Sequence, residues 1–237
     1  MIKLCIFDLD GTVLDTIETI AYYGNYALQK NNIEPIPVHE YKYFAGNGIY
    51  NLIKNMLQFR NCYTEELYDK VFHDYDAAYN ADTTYKTQIF EGLKPVLDKI
   101  KDLGINIAIA SNKPDYPTKK VVSSFFGADY FACVLGQREG IPLKPDPTIV
   151  FDILSHMNVS KEDCIYIGDT SVDMKTGKNA GLFTIGVLWG FRDEDELVEN
   201  GADMVVKKPS ELLEFVREEK TEGRLHYYKE DTDNLDV

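Results

Sequence analysis

The strongest constraint on how this chain can fold is an alternation. Short apolar runs rich in Val and Ile recur between longer stretches whose apolar residues fall at helical spacing. The runs at Lys3 to Phe7, Ile105 to Ala110, Phe131 to Leu135, Cys164 to Ile167, Thr184 to Val187 and Met204 to Val206 read as strands. Between them Leu93 to Leu103, Pro117 to Phe126, Pro147 to Met157, Val172 to Ala180 and Ser210 to Arg217 read as helices. Strands that alternate with helices in this way make an α/β fold, a Rossmann-like parallel sheet covered by helices.

One stretch departs from the alternation. Asp15 to about Thr87 has helical periodicity, many tyrosines and no convincing strand, so it reads as an all-α insert after the first strand. The expected organisation is a discontinuous core of residues 1–14 and 88–220, with a helical domain over 15–87. The joints fall at Leu14 to Thr16 and at Phe90-Glu91-Gly92, where glycine supplies backbone freedom. Thr221 to Val237 is polar and acidic, the composition of a loosely ordered tail.

At 237 residues the chain can bury a substantial interior without disulfides or a structural metal. Cys5, Cys62, Cys133 and Cys164 form no CxxC pair and read as buried free thiols. No apolar run approaches the roughly 20 residues that cross a bilayer, and the N-terminus lacks the pattern of a secretory signal, so a cytoplasmic protein is expected. The net charge of −14 opposes nucleic acid and anionic lipid as partners, since both are bound through Lys and Arg. An acidic protein that handles a phosphorylated anion needs a local cation, which points to a bound metal.

In an open parallel sheet, ligands sit beyond the carboxyl ends of the strands. Three of the apolar runs end in polar residues: LCIF leads into Asp8, Leu9, Asp10, Gly11 and Thr12; IAIA into Ser111, Asn112 and Lys113; CIYIG into Asp169, Thr170 and Ser171. Lys144, in LKPDP, follows the Phe131 to Leu135 run across a short loop. Asp8 and Asp10 are two residues apart, which in extended backbone puts both side chains on one side. With Asp169 and Asp173 they make four carboxylates that could converge, and so many anions coexist only around a hard cation. Mg²⁺ fits an all-oxygen donor set, and no His cluster or Cys pair argues for zinc. Ser111 and Asn112 could also serve as a helix N-cap, alone or in addition.

The motifs DxDGT at Asp8 to Thr12, Ser111, Lys144 with Pro145, and GDTSVD at Gly168 to Asp173 come in the order found in the haloacid dehalogenase superfamily, which this chain resembles over residues 1 to about 218. The resemblance is to the branch with a helical cap after the first motif. It implies an Mg²⁺-dependent phosphohydrolase in which Asp8 attacks phosphorus to form an aspartyl phosphate, while Asp10 protonates the leaving oxygen and then activates water. It further implies a metal held by the Asp8 carboxylate, the Asp10 carbonyl and Asp169. Asp173 would orient a metal-bound water or Lys144. Ser111 and Lys144 would hold the transferring phosphoryl group, with Thr12 and Asn112 as helpers.

Asp10 argues against dehalogenase and phosphonate-hydrolase chemistry, whose members lack that second aspartate. Similar sugar phosphomutases carry a histidine twelve residues after the nucleophile, where this chain has Ile20, so mutase activity is disfavoured. Gly46-Asn47-Gly48, within Phe44 to Ile49, resembles the cap loop of phosphoglycolate phosphatase-like members and could bring backbone N–H groups to a small carboxylate; the other reading is a plain interhelical turn. The stretch Gly186 to Leu197 is similar to the same subgroup. A small phosphate monoester, with phosphoglycolate as best single guess, is the expected substrate. Inorganic pyrophosphate or a nucleotide 5′-monophosphate is the alternative. A catalytically silent ligand-binding member is weaker, because it has no need for the whole set of carboxylates and lysine. Tyr22, Tyr23, Tyr26, Tyr41, Tyr43 and Tyr50 fit packing within the cap better than stacking on a base. A monomer or homodimer is expected.

Overall fold

The structure, a computed structural model, describes residues 1–222; beyond the last turn of the final helix, the acidic tail lies outside the described residues. In chain order the elements are β1 (Leu4–Phe7), β2 (Leu14–Asp15), α1 (Ile17–Lys30), α2 (Tyr41–Phe44), α3 (Gly48–Phe59), α4 (Glu65–Ala81), β3 (Gln88–Ile89), α5 (Leu93–Asp102), β4 (Asn106–Pro114), α6 (Asp115–Phe126), β5 (Cys133–Gln137), α7 (Thr148–Met157), β6 (Cys164–Gly168), α8 (Ser171–Ala180), β7 (Phe183–Val187), α9 (Glu194–Glu199), β8 (Met204–Val206) and α10 (Pro209–Glu222).

Six strands form one parallel sheet in the order β5-β4-β1-β6-β7-β8. The alternation of side chains along each strand sorts the core into two layers. Cys5, Phe7, Ile107, Ile109, Ile165 and Ile167 pack against α5, α6 and α10. Leu4, Ile6, Ala108, Ala110, Cys164 and Tyr166 pack against α7 and α8 on the other face. Strands buried on both faces cannot alternate apolar with polar, which is why they read as short unbroken apolar runs. Because the chain leaves β1 for β4 and β5 on one side and returns to β6 on the other, the order in which strands are added reverses at β1, and a crevice opens beyond its carboxyl end.

Between β2 and β3, which pair antiparallel, the regular elements are all helical. They have an apolar cluster of their own, built from residues such as Ile20, Leu28, Ile53, Met56 and Val71. On α4, Thr64 caps the first turn by accepting from the Leu67 N–H at 3.2 Å, and Tyr68, Val71, Tyr75 and Tyr79 follow at helical spacing on the buried face. Of the tyrosines singled out above, Tyr23 and Tyr41 are core residues, whereas Tyr22, Tyr26, Tyr43 and Tyr50 are exposed. Their density is therefore only partly a packing signal.

Element boundaries moved where polar residues carry regular structure. β4 runs on through Ser111, Asn112 and Lys113, and resumes pairing with β5 at Pro114 opposite Gln137 after an irregularity. The next helix begins at Asp115, so Ser111 and Asn112 do not cap it. All four cysteines are free thiols; Cys62 is half-buried rather than buried. Among the described residues no helix is long and apolar enough to cross a membrane.

Candidate active site

Asp8 directly follows β1, and its N–H continues the parallel ladder by donating to the Ile167 carbonyl at 2.9 Å. Asp10 lies two residues on, and both residues border one cavity between the carboxyl end of the sheet and the helices after β2. The turn that follows needs Gly11. Its φ of +91° is in the left-handed region, and a Cβ there would stand 2.2 Å from Asp169 Oδ2. Trp189 holds the same turn from the far side, its Nε1 donating to the Thr12 carbonyl at 2.9 Å.

Lys144 is buried at the centre of the constellation. Its ammonium donates to Asp8 Oδ1 at 2.7 Å, Asp173 Oδ1 at 2.8 Å, the Ala110 carbonyl at 3.0 Å and the Tyr166 hydroxyl at 3.1 Å. Four oxygens share three N–H groups, so the amine is held from every side. Asp173, in the first turn of α8, uses its other oxygen to accept from the Thr170 hydroxyl at 2.7 Å and the Thr170 N–H at 3.1 Å. Asp169, just after β6, accepts from the Thr12 hydroxyl at 2.7 Å and from the Phe191 N–H at 2.9 Å.

Three buried carboxylates thus lie close together, two of them on one buried ammonium, and the crowding shows in the acidity of Asp8 and Asp169. Burial pushes the Asp8 carboxyl from its ordinary 3.8 up to about 7, with the Asp173 charge adding to the rise and Lys144 opposing it. Burial, then the charges of Asp173 and Asp8, likewise hold Asp169 well above the carboxylate range. Burial works against the charge on Lys144, but Asp173 and Asp8 outweigh it and keep the amine protonated.

Oxygens of Asp8, Asp169 and Asp173 lie within 4.8 Å of one another. An all-carboxylate cluster with surplus negative charge, and no soft donor within it, fits a hard divalent cation such as Mg²⁺. Of the four carboxylates expected to converge, Asp10 stands outside this cluster, its two oxygens bound by Lys113 at 2.9 and 2.7 Å; the resemblance assigns its carbonyl, not its side chain, to the metal. Asp173, expected only to orient a metal-bound water or Lys144, stands inside the cluster, although Lys144 and Thr170 already engage both of its oxygens.

The cavity wall also includes Gly46, Gly48, Ser111 and Asn112, but not Asn47 or Thr12. Asn47 immediately precedes α3, and its carbonyl accepts from Asn51 Nδ2 at 2.8 Å; Thr12 is turned toward Asp169. Asn112 ties the wall together. Its Nδ2 donates to the Gly46 carbonyl at 2.9 Å and the Lys144 carbonyl at 3.1 Å, and its Oδ1 accepts from the Lys144 N–H at 2.8 Å. The Gly46 carbonyl is thereby taken by the sheet, and Ile20 faces the same space.

Lys113, Tyr166, Tyr79 and Phe191 were given no role from the sequence. Lys113 was visible as a polar residue after a strand. Tyr166 was masked within an apolar run. Phe191 joins the apolar cluster of the helices between β2 and β3, and its neighbour Arg192 donates to the Lys42 carbonyl and lies over the Tyr43 ring at 5.4 Å. The loop after β7 thus bridges the two halves of the molecule.

Known proteins are similar to this chain over most of its length. A phosphoglycolate phosphatase of Vibrio parahaemolyticus is 27% identical over 219 residues, spanning 91% of this chain and 96% of that protein. One from Rhodobacter capsulatus is 28% identical over 193 residues, 81% of this chain and 87% of its own length. The crystal structure of a predicted phosphatase from Clostridium acetobutylicum superposes with a TM-score of 0.81 at 26% identity, covering 92% of this chain and 99% of that one. The sequence profile of the haloacid dehalogenase-like hydrolases matches residues 5–187, a stretch that holds Asp8, Ser111, Lys144 and Asp169 in the geometry above, and this chain belongs to that family.

Proposed function

We propose that the protein is a phosphatase acting on a small phosphate monoester, with phosphoglycolate the leading candidate, and that Asp8 is its nucleophile. The observation that carries this reading is the buried Asp8 carboxylate, fixed by Lys144 through one oxygen while its side chain borders a cavity shared with Asp10. Attack by Asp8 on phosphorus forms an acyl phosphate as the ester P–O bond breaks. Asp10 delivers a proton to the departing oxygen and takes one from the water that releases phosphate. Lys144 offsets charge on the phosphoryl oxygens and keeps Asp8 oriented, and Ser111 hydrogen-bonds the transferring group. Asp8 and Asp169, with the Asp10 carbonyl, would hold a Mg²⁺, which would supply further charge compensation. Residues 15–87 act as the cap that closes the site, over a core of residues 1–14 and 88–220.

The names of the similar phosphatases support the same substrate class. Phosphate release with Mg²⁺ from phosphoglycolate, sugar phosphates, nucleotide 5′-monophosphates and pyrophosphate, with Asp8→Asn as blank, tests the proposal. Absence of turnover of every ester refutes it, and faster turnover of pyrophosphate than of phosphoglycolate moves the assignment to a pyrophosphatase.

A further inference from the structure

Hydrogen bonding within the cavity wall leaves few polar groups for a ligand. Asn112 is fully occupied by Gly46 and Lys144. Asn80 donates to Asp76 at 2.9 Å on the next row of α4. Ser111 is committed to the phosphoryl group by the reading above. As donors, Lys113 and Tyr79 remain; the unpartnered Asn80 Oδ1 can only accept. The Lys113 side chain is only 7% exposed, borders the cavity, and its ammonium lies 4.8 Å from the centre of the Tyr79 ring. The Tyr79 hydroxyl is buried beside that ammonium, its one polar neighbour of note, and meets no acceptor for its own O–H at hydrogen-bonding geometry. Around these two the wall is largely apolar, with Ile20, Ala45, Ile49 and Leu52 among its residues.

We propose that Lys113 and Tyr79 form the receptor for a second anionic group, a carboxylate carried on the alcohol half of the ester, and so set the substrate preference of the site. This rests on the phosphatase reading and on Asp10 as the group beside the leaving oxygen. Lys113 binds both oxygens of Asp10. A carboxylate two bonds beyond the ester oxygen therefore comes within reach of the same ammonium, while the Tyr79 O–H donates to its second oxygen. Asp76 borders the same cavity and works against leaving groups with more than one negative charge. An ester with a neutral leaving group gains nothing from Lys113.

The test compares 2-phosphoglycolate with ethyl phosphate, which has nearly the same shape and a methyl in place of the carboxylate. For the wild-type protein with Mg²⁺, the ratio of kcat/KM for the two esters favours phosphoglycolate. Lys113→Met lowers that ratio at least tenfold, mainly through KM for phosphoglycolate; Tyr79→Phe lowers it less, and Lys113→Arg keeps it within about threefold. A ratio unchanged in both Lys113→Met and Tyr79→Phe, with both variants folded by circular dichroism, overturns the receptor while leaving the phosphatase reading intact. Wild-type protein that hydrolyses neither ester nor any other monoester overturns both.

Discussion

Replacing Asp8 by Asn is expected to destroy activity and at the same time stabilise the metal-free protein. Asparagine is nearly isosteric, and its carbonyl oxygen can still accept from Lys144, so the packing around the site is kept. What it removes is one negative charge from a buried group of three that a single ammonium cannot balance. The carboxyl is raised from 3.8 to about 7, which at ~1.4 kcal/mol per pH unit is a penalty of about 4 kcal/mol for ionising it in the folded state. The sign follows from proton binding. Between about pH 4 and pH 7 the folded protein holds a proton on Asp8 that the unfolded chain has released, so wild-type stability falls as pH rises through that window and is lowest above it. Asp8→Asn lacks this loss. In urea unfolding at pH 8 with EDTA, the variant should be more stable by up to about 4 kcal/mol, with the difference vanishing near pH 4. Saturating Mg²⁺ should return stability to the wild type, about 2.7 kcal/mol at a hundred times Kd, and much less to the variant. Turnover should fall by roughly a thousandfold or more. An Asp8→Asn protein that is less stable than wild type at pH 8 in EDTA would refute the claim of surplus charge, whatever its activity.

The turn after β1 supplies a paired comparison. Gly11→Ala places a Cβ 2.2 Å from Asp169 Oδ2 at a positive φ, whereas Gly92→Ala is also at positive φ but meets nothing within 4 Å. Both pay the backbone cost of about 1 kcal/mol, but only Gly11→Ala should cost several times that in thermal unfolding and abolish phosphate release. Asn112→Ala removes three hydrogen bonds that join β4, the Lys144 loop and Gly46. It should destabilise the protein by about 2–4 kcal/mol and raise KM for the preferred ester in steady-state assays; unchanged KM would show that the Gly46 loop is positioned by other contacts.

Much of the fold was legible because its signals are local. LCIF, IAIA and CIYIG are unbroken apolar runs since each strand is covered on both faces, and DLDGT follows the first of them because a ligand site needs polar groups at the strand's end. The course of β4 through Ser111 to Pro114 was not legible, since polar residues paired only through the backbone leave no hydrophobic pattern. Exposed Tyr22 and Tyr26 could not be told from buried Tyr23 by density alone, because the helix face that each occupies depends on what packs against it.

What the sequence by itself determined was which polar residues follow the strands and in what order, because a strand covered on both faces is a local apolar run and its polar end is read from near neighbours. Tertiary structure decided who pairs with whom. Lys144 reaches Asp8 across 136 residues, Thr12 reaches Asp169 across 157, and Lys113 takes Asp10 across 103. No spacing rule spans such distances. The burial that raises the Asp8 carboxyl, and the Asp173 charge that adds to it, exist only once β1, β4, β6 and the Lys144 loop are brought together out of water.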